Sequence, residues 1–166
     1  MTTAVSSDAL SAPQATTQML TFRVDESEYA LDILAVQEIR NWEGATRIPG
    51  ASGCMAGVVE LRGETLPVID LRIRLGRGGQ TGQGVPVMIV TRCQRGDDSQ
   101  AVALVVDAVS DVEEVAAEDW RSLPAGLQGT AWGLAGLVCR NERMLMVLDL
   151  ETISGSGVTA GKGDVQ

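Results

Sequence analysis

Histidine is missing altogether from this chain of 166 residues, and that absence removes a large part of enzymology. The commonest general base and the commonest transition-metal side-chain ligand go together. Hydrolytic triads built on Ser-His or Cys-His are excluded with them. Aromatic residues make up only 3%, so successive nucleobases would find almost no stacking surface. Basic residues are scarce as well: 13 Lys and Arg stand against 22 Asp and Glu, a net charge of −9. That balance offers no patch to neutralise phosphates and argues against nucleic acid. It equally disfavours an anionic membrane surface. No apolar run nears the ~20 residues that span a bilayer, and the N-terminal MTTAVSSDALSAPQATTQ lacks the basic start and apolar stretch of a secretion signal. Paired cysteines are absent too. Cys54, Cys93 and Cys139 are odd in number, widely spaced and set in or beside apolar stretches, which reads as free thiols packed as small hydrophobes in a reducing cytoplasm. These absences together imply a soluble intracellular protein.

What the chain has is aliphatic bulk and an internal repeat. Hydrophobic residues reach 45%, so the core is built from Val, Leu, Ile, Ala and Met. Gly57–Leu71 (GVVELRGETLPVIDL) returns at an offset of 79 as Gly136–Leu150 (GLVCRNERMLMVLDL). The two share Gly57/Gly136, Val59/Val138, Leu66/Leu145, Val68/Val147, Asp70/Asp149 and Leu71/Leu150, the positions needed by a β-hairpin running into a helix start. A second correspondence, at an offset of 73, aligns Ala30-Leu31 with Ala103-Leu104, Ala35-Val36 with Ala108-Val109 and Glu38-Ile39 with Asp111-Val112.

Short apolar runs broken by turn residues fill the space between. Met19–Asp25, Glu28–Ile33, Gln37–Trp42, Met55–Leu61 and Glu64–Ile69 are strands of the first half, with one helical turn over Ile33–Val36. Val85–Thr91, Gln100–Val106, Val109–Val115, Leu134–Arg140 and Arg143–Leu148 are those of the second. Val102–Val106 and Met144–Leu148 are continuously apolar, as in strands covered on both faces. Pro67 has no amide to donate and belongs at a sheet edge or bulge. The resulting expectation is an all-β fold: two five-stranded SH3-like barrel lobes packed on a shared hydrophobic core, with short helical turns. Residues 1–17 and 154–166 read as disordered tails around a single domain at 18–153, with lobe 1 at about 18–75, lobe 2 at about 85–153 and a Gly-rich connection at 76–84. A phosphate-cradling role for that connection is weak, since no Gly-Lys-Ser/Thr follows it.

Few side chains suggest chemistry. Asp70 and Asp149 stand at the same place in both repeats and read as helix N-caps, not catalytic carboxylates. The run Asp107, Asp111, Glu113, Glu114, Glu118, Asp119 alternates like a strand and forms no loop that would gather oxygens around a cation. A small metal-dependent hydrolase using that run is the enzymatic alternative. Trp42, Trp120 and Trp132 serve either as packing anchors or as partner contacts. Arg62-Gly63 is the functional candidate. It sits at a hairpin tip, and the repeat has Asn141-Glu142 there, so folding does not demand Arg-Gly. The alternative is a turn with a solvated arginine.

EYALDILAVQEIR (Glu28–Arg40), TRIPG (Thr46–Gly50), GVVELRGETLPVIDLR (Gly57–Arg72), VVDAVSDV (Val105–Val112) and RMLMVLDLE (Arg143–Glu151) together closely resemble the CheW family of chemotaxis coupling proteins. The resemblance covers about Leu20 to Ile153. It implies two five-stranded barrels and a cytoplasmic adaptor without catalysis, cofactor or metal. The implied partners are the cytoplasmic tip of a methyl-accepting chemoreceptor and the regulatory domain of the histidine kinase CheA, in membrane-associated arrays and without direct membrane insertion. A non-motility chemosensory pathway fits equally. Carried over by position, the receptor-facing groove comprises Val36, Glu38, Gly57, Arg62 and Gly63, with Val36 and Gly57 as an apolar notch and Glu38 and Arg62 as orienting charges. For Val36 a place in the core remains open. Kinase contacts fall at Ala45, Arg47 and Ile48 and, on the other lobe, near Arg121. There Arg121–Leu127 (RSLPAGL) lacks the acidic and aromatic pair common after its proline, and Ala103 replaces a frequent glycine.

Overall fold

A computed structural model describes residues 16–51, 53–75, 84–95, 97–127 and 133–153. The proposed C-terminal tail, most of the Gly-rich connection, Trp132 and residues 1–15 lie outside the described residues. Eleven strands are described: β1 (Thr16–Val24), β2 (Ser27–Asp32), β3 (Val36–Asn41), β4 (Met55–Leu61), β5 (Glu64–Asp70), β6 (Val87–Arg95), β7 (Asp98–Val106), β8 (Ala108–Ala116), β9 (Trp120–Arg121), β10 (Leu134–Arg140) and β11 (Arg143–Leu148). A 3-10 turn at Ile33–Ala35 joins β2 to β3, and a short helix, α1 (Leu71–Arg74), follows β5. Thr16 and Thr17 already belong to β1, so the strand begins inside the segment read as a tail.

Two sheets result. One has the order β8-β1-β2-β11-β10-β9, the other β3-β6-β7-β5-β4. We call them lobe A and lobe B. The two-lobed β architecture matches expectation, but the lobes are not the sequence halves at 18–75 and 85–153. Lobe A takes the hairpin β1–β2 from the first half and β8–β11 from the second. Lobe B takes β3–β5 from the first and the hairpin β6–β7 from the second. Each half lends its first hairpin to the other.

The exchange keeps the repeat's register. At an offset of 79, the bulge between Met55 and Gly57 in the β4–β5 pair returns between Leu134 and Gly136. At an offset of 73, the irregularity over Val36–Glu38 in β3 returns at Val109–Asp111 in β8. The parallel pairs Val68↔Ala103 and Val147↔Ala30 are the same pair made twice across the two halves. Asp70 accepts from the Arg72 amide at 3.0 Å, and Asp149 from the Thr152 amide at 3.4 Å and the Thr152 hydroxyl at 2.9 Å. Both are therefore caps that satisfy first-turn donors.

Alternation along the strands feeds three cores. Val102, Leu104 and Val106 of β7 point into a cluster shared by both lobes with Leu20, Phe22, Leu31, Ile69 and Ile89. Ala101, Ala103 and Val105, one residue out of phase, line the interior of lobe B with Leu66, Val68 and Met88. Lobe A repeats this: Ala30 enters its interior with Met19, Val138, Leu145 and Val147, while Tyr29 and Leu31 join the shared core. This two-sided burial explains the unbroken apolar runs. Pro67 is not on an edge strand, because β5 lies between β4 and β7. Parallel pairing with β7 spans only Val68–Asp70, however, so at Pro67 the strand has a neighbour on one side alone.

Candidate functional site

In lobe B the edge strands β3 and β4 lie at opposite ends of the strand order, and the sheet curls until they approach. Two contacts join the ends. Thr46 makes an isolated bridge to Val58, its amide donating to the Val58 carbonyl at 2.9 Å and its carbonyl accepting from the Val58 amide at 2.8 Å. At the hairpin tip Arg62 donates through Nε to Glu38 Oε1 at 3.1 Å, with Nη2 at 3.0 Å from the same oxygen. Glu38 Oε2 receives Arg40 Nη1 at 3.1 Å, so one carboxylate is held between two guanidinium groups. The hydrogen bond from Arg62, backed by the charges of Arg62 and Arg40, keeps the Glu38 carboxyl below its ordinary range. Arg40 was not singled out from the sequence. Its signal was present, since strand alternation puts residues 38 and 40 on one face.

The tip backbone carries a second indication. Arg62 has φ +54° and Gly63 +83°, and in the repeat Asn141 has +51° and Glu142 +64°. Positive φ at both central residues is the turn that favours Asn-Gly. Arginine in the left-handed region costs about 1–2 kcal/mol, and such strain is retained where a side chain has another task. Arg62 is 76% exposed while Glu38 is 22% exposed. The cluster therefore presents one guanidinium outward over a fixed carboxylate.

The remaining candidates divide. Val36 is half-buried and packs on the shared core, in the role left open above. Next to it Leu34, in the 3-10 turn, is 90% exposed, an apolar knob that the sequence reading passed over. Gly57 packs against the chain that returns from β3. It is buried with φ +141°, and a Cβ there would lie 2.2 Å from the Thr46 carbonyl oxygen and 3.2 Å from the Ala45 Cβ. Its missing side chain is the space the returning chain occupies, so it belongs with Ala45, Arg47 and Ile48. Ile48 is 42% exposed, and with Arg47 it borders a cleft of about 330 Å³ closed by Trp42, Met55 and Ile73.

Arg121 stands on lobe A, in the two-residue strand β9 that the sequence reading did not foresee. Its Nη1 donates to the carbonyls of Glu118 at 2.7 Å and Trp120 at 2.9 Å, pinning the turn before it. In lobe A the latch has the opposite charge. Arg143 lies between Glu28, at 3.2 Å, and Glu113, at 3.0 Å, chiefly through the Glu113 hydrogen bond, and its pKa is raised. Among the described residues no group of three or more Cys, Asp or Glu is placed to hold a metal ion, and no helix is long and apolar enough to cross a membrane.

Comparison with known proteins adds the family context. Residues 18–157 match the model of the CheW-like domain. The chain is similar to the chemotaxis protein CheW of Klebsiella aerogenes, 38% identical over 141 residues, 84% of this chain and 82% of that one. It is 32% identical over 139 residues to the chemotaxis protein CheW of Bacillus subtilis, covering 82% and 85% of the two chains. Among solved structures, the scaffolding protein TtCheW of Thermoanaerobacter tengcongensis superimposes with a TM-score of 0.71 at 27% identity, over 80% of this chain and 88% of that one.

Proposed function

The chain belongs to the CheW-like domain family, and from that premise we propose that it is a non-catalytic scaffold of a chemotaxis signalling assembly, coupling methyl-accepting chemoreceptors to the histidine kinase CheA in the cytoplasm. The observation that carries the receptor half of this reading is the Arg40–Glu38–Arg62 cluster. A strained, outward arginine over an immobilised carboxylate is a device for orienting a charged partner, and nothing in it performs chemistry. Gly63 serves it by permitting the turn. Val36 acts from beneath, holding the start of β3 against the shared core. The kinase half of the reading falls on Ala45, Arg47 and Ile48, with Gly57 setting the height of that loop.

Arg62→Glu tests the receptor assignment. Reversal of the charge at a 76% exposed side chain leaves folding intact and weakens receptor binding by roughly 2 kcal/mol or more if Arg62 is a hot spot. Co-sedimentation with receptor-containing membranes measures it. Recovery of the variant at wild-type affinity, with an unchanged circular dichroism spectrum, removes Arg62 from the contact. Calorimetric titration with Mg²⁺, Mn²⁺ and Ca²⁺ tests the enzymatic alternative, which needs saturable one-site binding.

A further inference from the structure

We propose that Arg40 is the reserve cation of the hairpin-tip cluster: when a carboxylate of the docked receptor draws Arg62 away, Arg40 stays on Glu38 and keeps its charge paired. This rests on the receptor reading above and deepens it. The two guanidinium groups do not compete for one atom. Arg62 holds Glu38 Oε1 through Nε at 3.1 Å and Nη2 at 3.0 Å, while Arg40 Nη1 holds Oε2 at 3.1 Å. Either can leave without disturbing the other's contact. Their mounting decides which one leaves. Glu38 and Arg40 stand two residues apart on β3, in register with Val90 and Met88 of β6. Arg62 comes from the other edge of the sheet, on a turn in the left-handed region, and is 76% exposed against 48% for Arg40.

The internal repeat shows that folding does not dictate this arrangement. At the offset of 73, Glu38 and Arg40 become Asp111 and Glu113, and at 79 Arg62 becomes Asn141. Lobe A thus has two acids on its edge strand and no arginine at its tip. Its Glu113 reaches across to Arg143 of β11 at 3.0 Å. In lobe B the residue at the place of Arg143 is Glu64, which pairs with Arg92 of β6 at 3.1 Å and leaves Arg40 to Glu38. One scaffold therefore ties its edge strand across the barrel in lobe A. In lobe B it builds a local pair, complete within β3, to which Arg62 is added from outside.

Charge balance gives the chemistry of the incoming group. The cluster holds two cations and one anion on a chain of net charge −9, a local excess of one positive charge. A partner carboxylate on Arg62 brings the count to two and two, paired one to one. Without Arg40 the same exchange strands Glu38, which is only 22% exposed in the free chain and is covered further by the partner. Truncating one side of a covered, hydrogen-bonded charge pair is costly mainly because the other side is left bare. Arg40 removes that cost, and so makes Arg62 releasable. It acts through Glu38 as a positioning residue, without touching the partner.

Co-sedimentation of the full chain with receptor-containing membranes tests this. Arg40→Met is expected to weaken binding about fivefold or more, and Arg40→Lys to recover most of it. In a Glu38→Gln background Arg40→Met should cost nothing further, because no charge is left to pair. Equal losses in the two backgrounds make Arg40 a direct receptor contact and overturn its reserve role. Arg40→Met binding as wild type overturns that role too, while a loss in Arg62→Glu leaves the receptor reading standing. Arg62→Glu binding as wild type overturns the receptor reading itself. Titration of the free chain gives a second measurement that needs no receptor. Among the groups that lower the Glu38 carboxyl, the Arg62 hydrogen bond comes first, and Arg40 adds a hydrogen bond and its charge. Arg62→Ala should therefore raise the Glu38 midpoint yet leave it below that of an unpaired glutamate, and adding Arg40→Met should remove the remaining difference. A midpoint already at the ordinary value in Arg62→Ala alone overturns Arg40 as the reserve.

Discussion

A single missing methyl group separates two kinds of glycine in this protein. At Gly63 an added Cβ meets nothing within 4 Å, so Gly63→Ala carries only the left-handed backbone penalty, about 1–2 kcal/mol. At Gly57 the same atom lies 2.2 Å from the Thr46 carbonyl oxygen, so the loop carrying Ala45, Arg47 and Ile48 must move. Gly57→Ala is expected to cost roughly 3 kcal/mol or more and to weaken kinase binding beyond the loss of folded protein. Urea unfolding of the two variants side by side measures the difference, and equal losses would show that the Thr46 bridge yields freely. Glu38 gives a second residue-scale prediction. Its folded pKa is depressed, so its contribution to closure is present above the unfolded value and is lost as pH falls through the folded one. Carbon-detected NMR titration should place the Glu38 midpoint below that of an unpaired glutamate, and Arg62→Ala should move it upward. The sequence revealed Arg62 because the repeat lacks it. It did not reveal the pairing with Glu38, because β3 and β4 are adjacent only after the sheet curls.

At the scale of elements, both hairpin tips use one turn geometry and each has half of its preferred Asn-Gly pair. Lobe B has the glycine and lobe A the asparagine. Glu142, at φ +64°, is the residue out of place in lobe A, and Glu142→Gly should stabilise the protein by about 1 kcal/mol. Thermal denaturation tests this, and a lowered Tm would mean that the Glu142 side chain holds the tip by itself. Hairpins, caps and two-faced strands were legible in the sequence, because local chemistry decides each of them: Asp70 and Asp149 cap the turns they precede, and the β4–β5 turn falls at Arg62-Gly63. The strand β9 was not legible. Two residues, Trp120–Arg121, are too few to show a period, and only the paired β10 gives them their conformation.

At the scale of the molecule, the repeat itself hid the lobe boundaries. Ala30 and Ala103 are alike, as are Val68 and Val147, so a hairpin finds chemically equivalent neighbours in its own half or in the other. Similarity alone cannot choose between the two pairings, and the division at 75/85 assumed the local one. Since neither half contains a complete sheet, residues 1–83 and 84–166 expressed as separate chains should each remain unfolded and should form both sheets when mixed. Far-ultraviolet circular dichroism and gel filtration follow this directly, and a folded, monomeric first half would contradict the exchanged topology. The same exchange sets a timetable for synthesis. Lobe B can close once Val106 has left the ribosome, because β7 is its last strand to be made, whereas lobe A must wait for Leu148 at the end of β11. Throughout that interval β2 has β1 on one side and an unfilled edge on the other. During translation the first hairpin of this adaptor is the exposed edge, and it is covered only by the last.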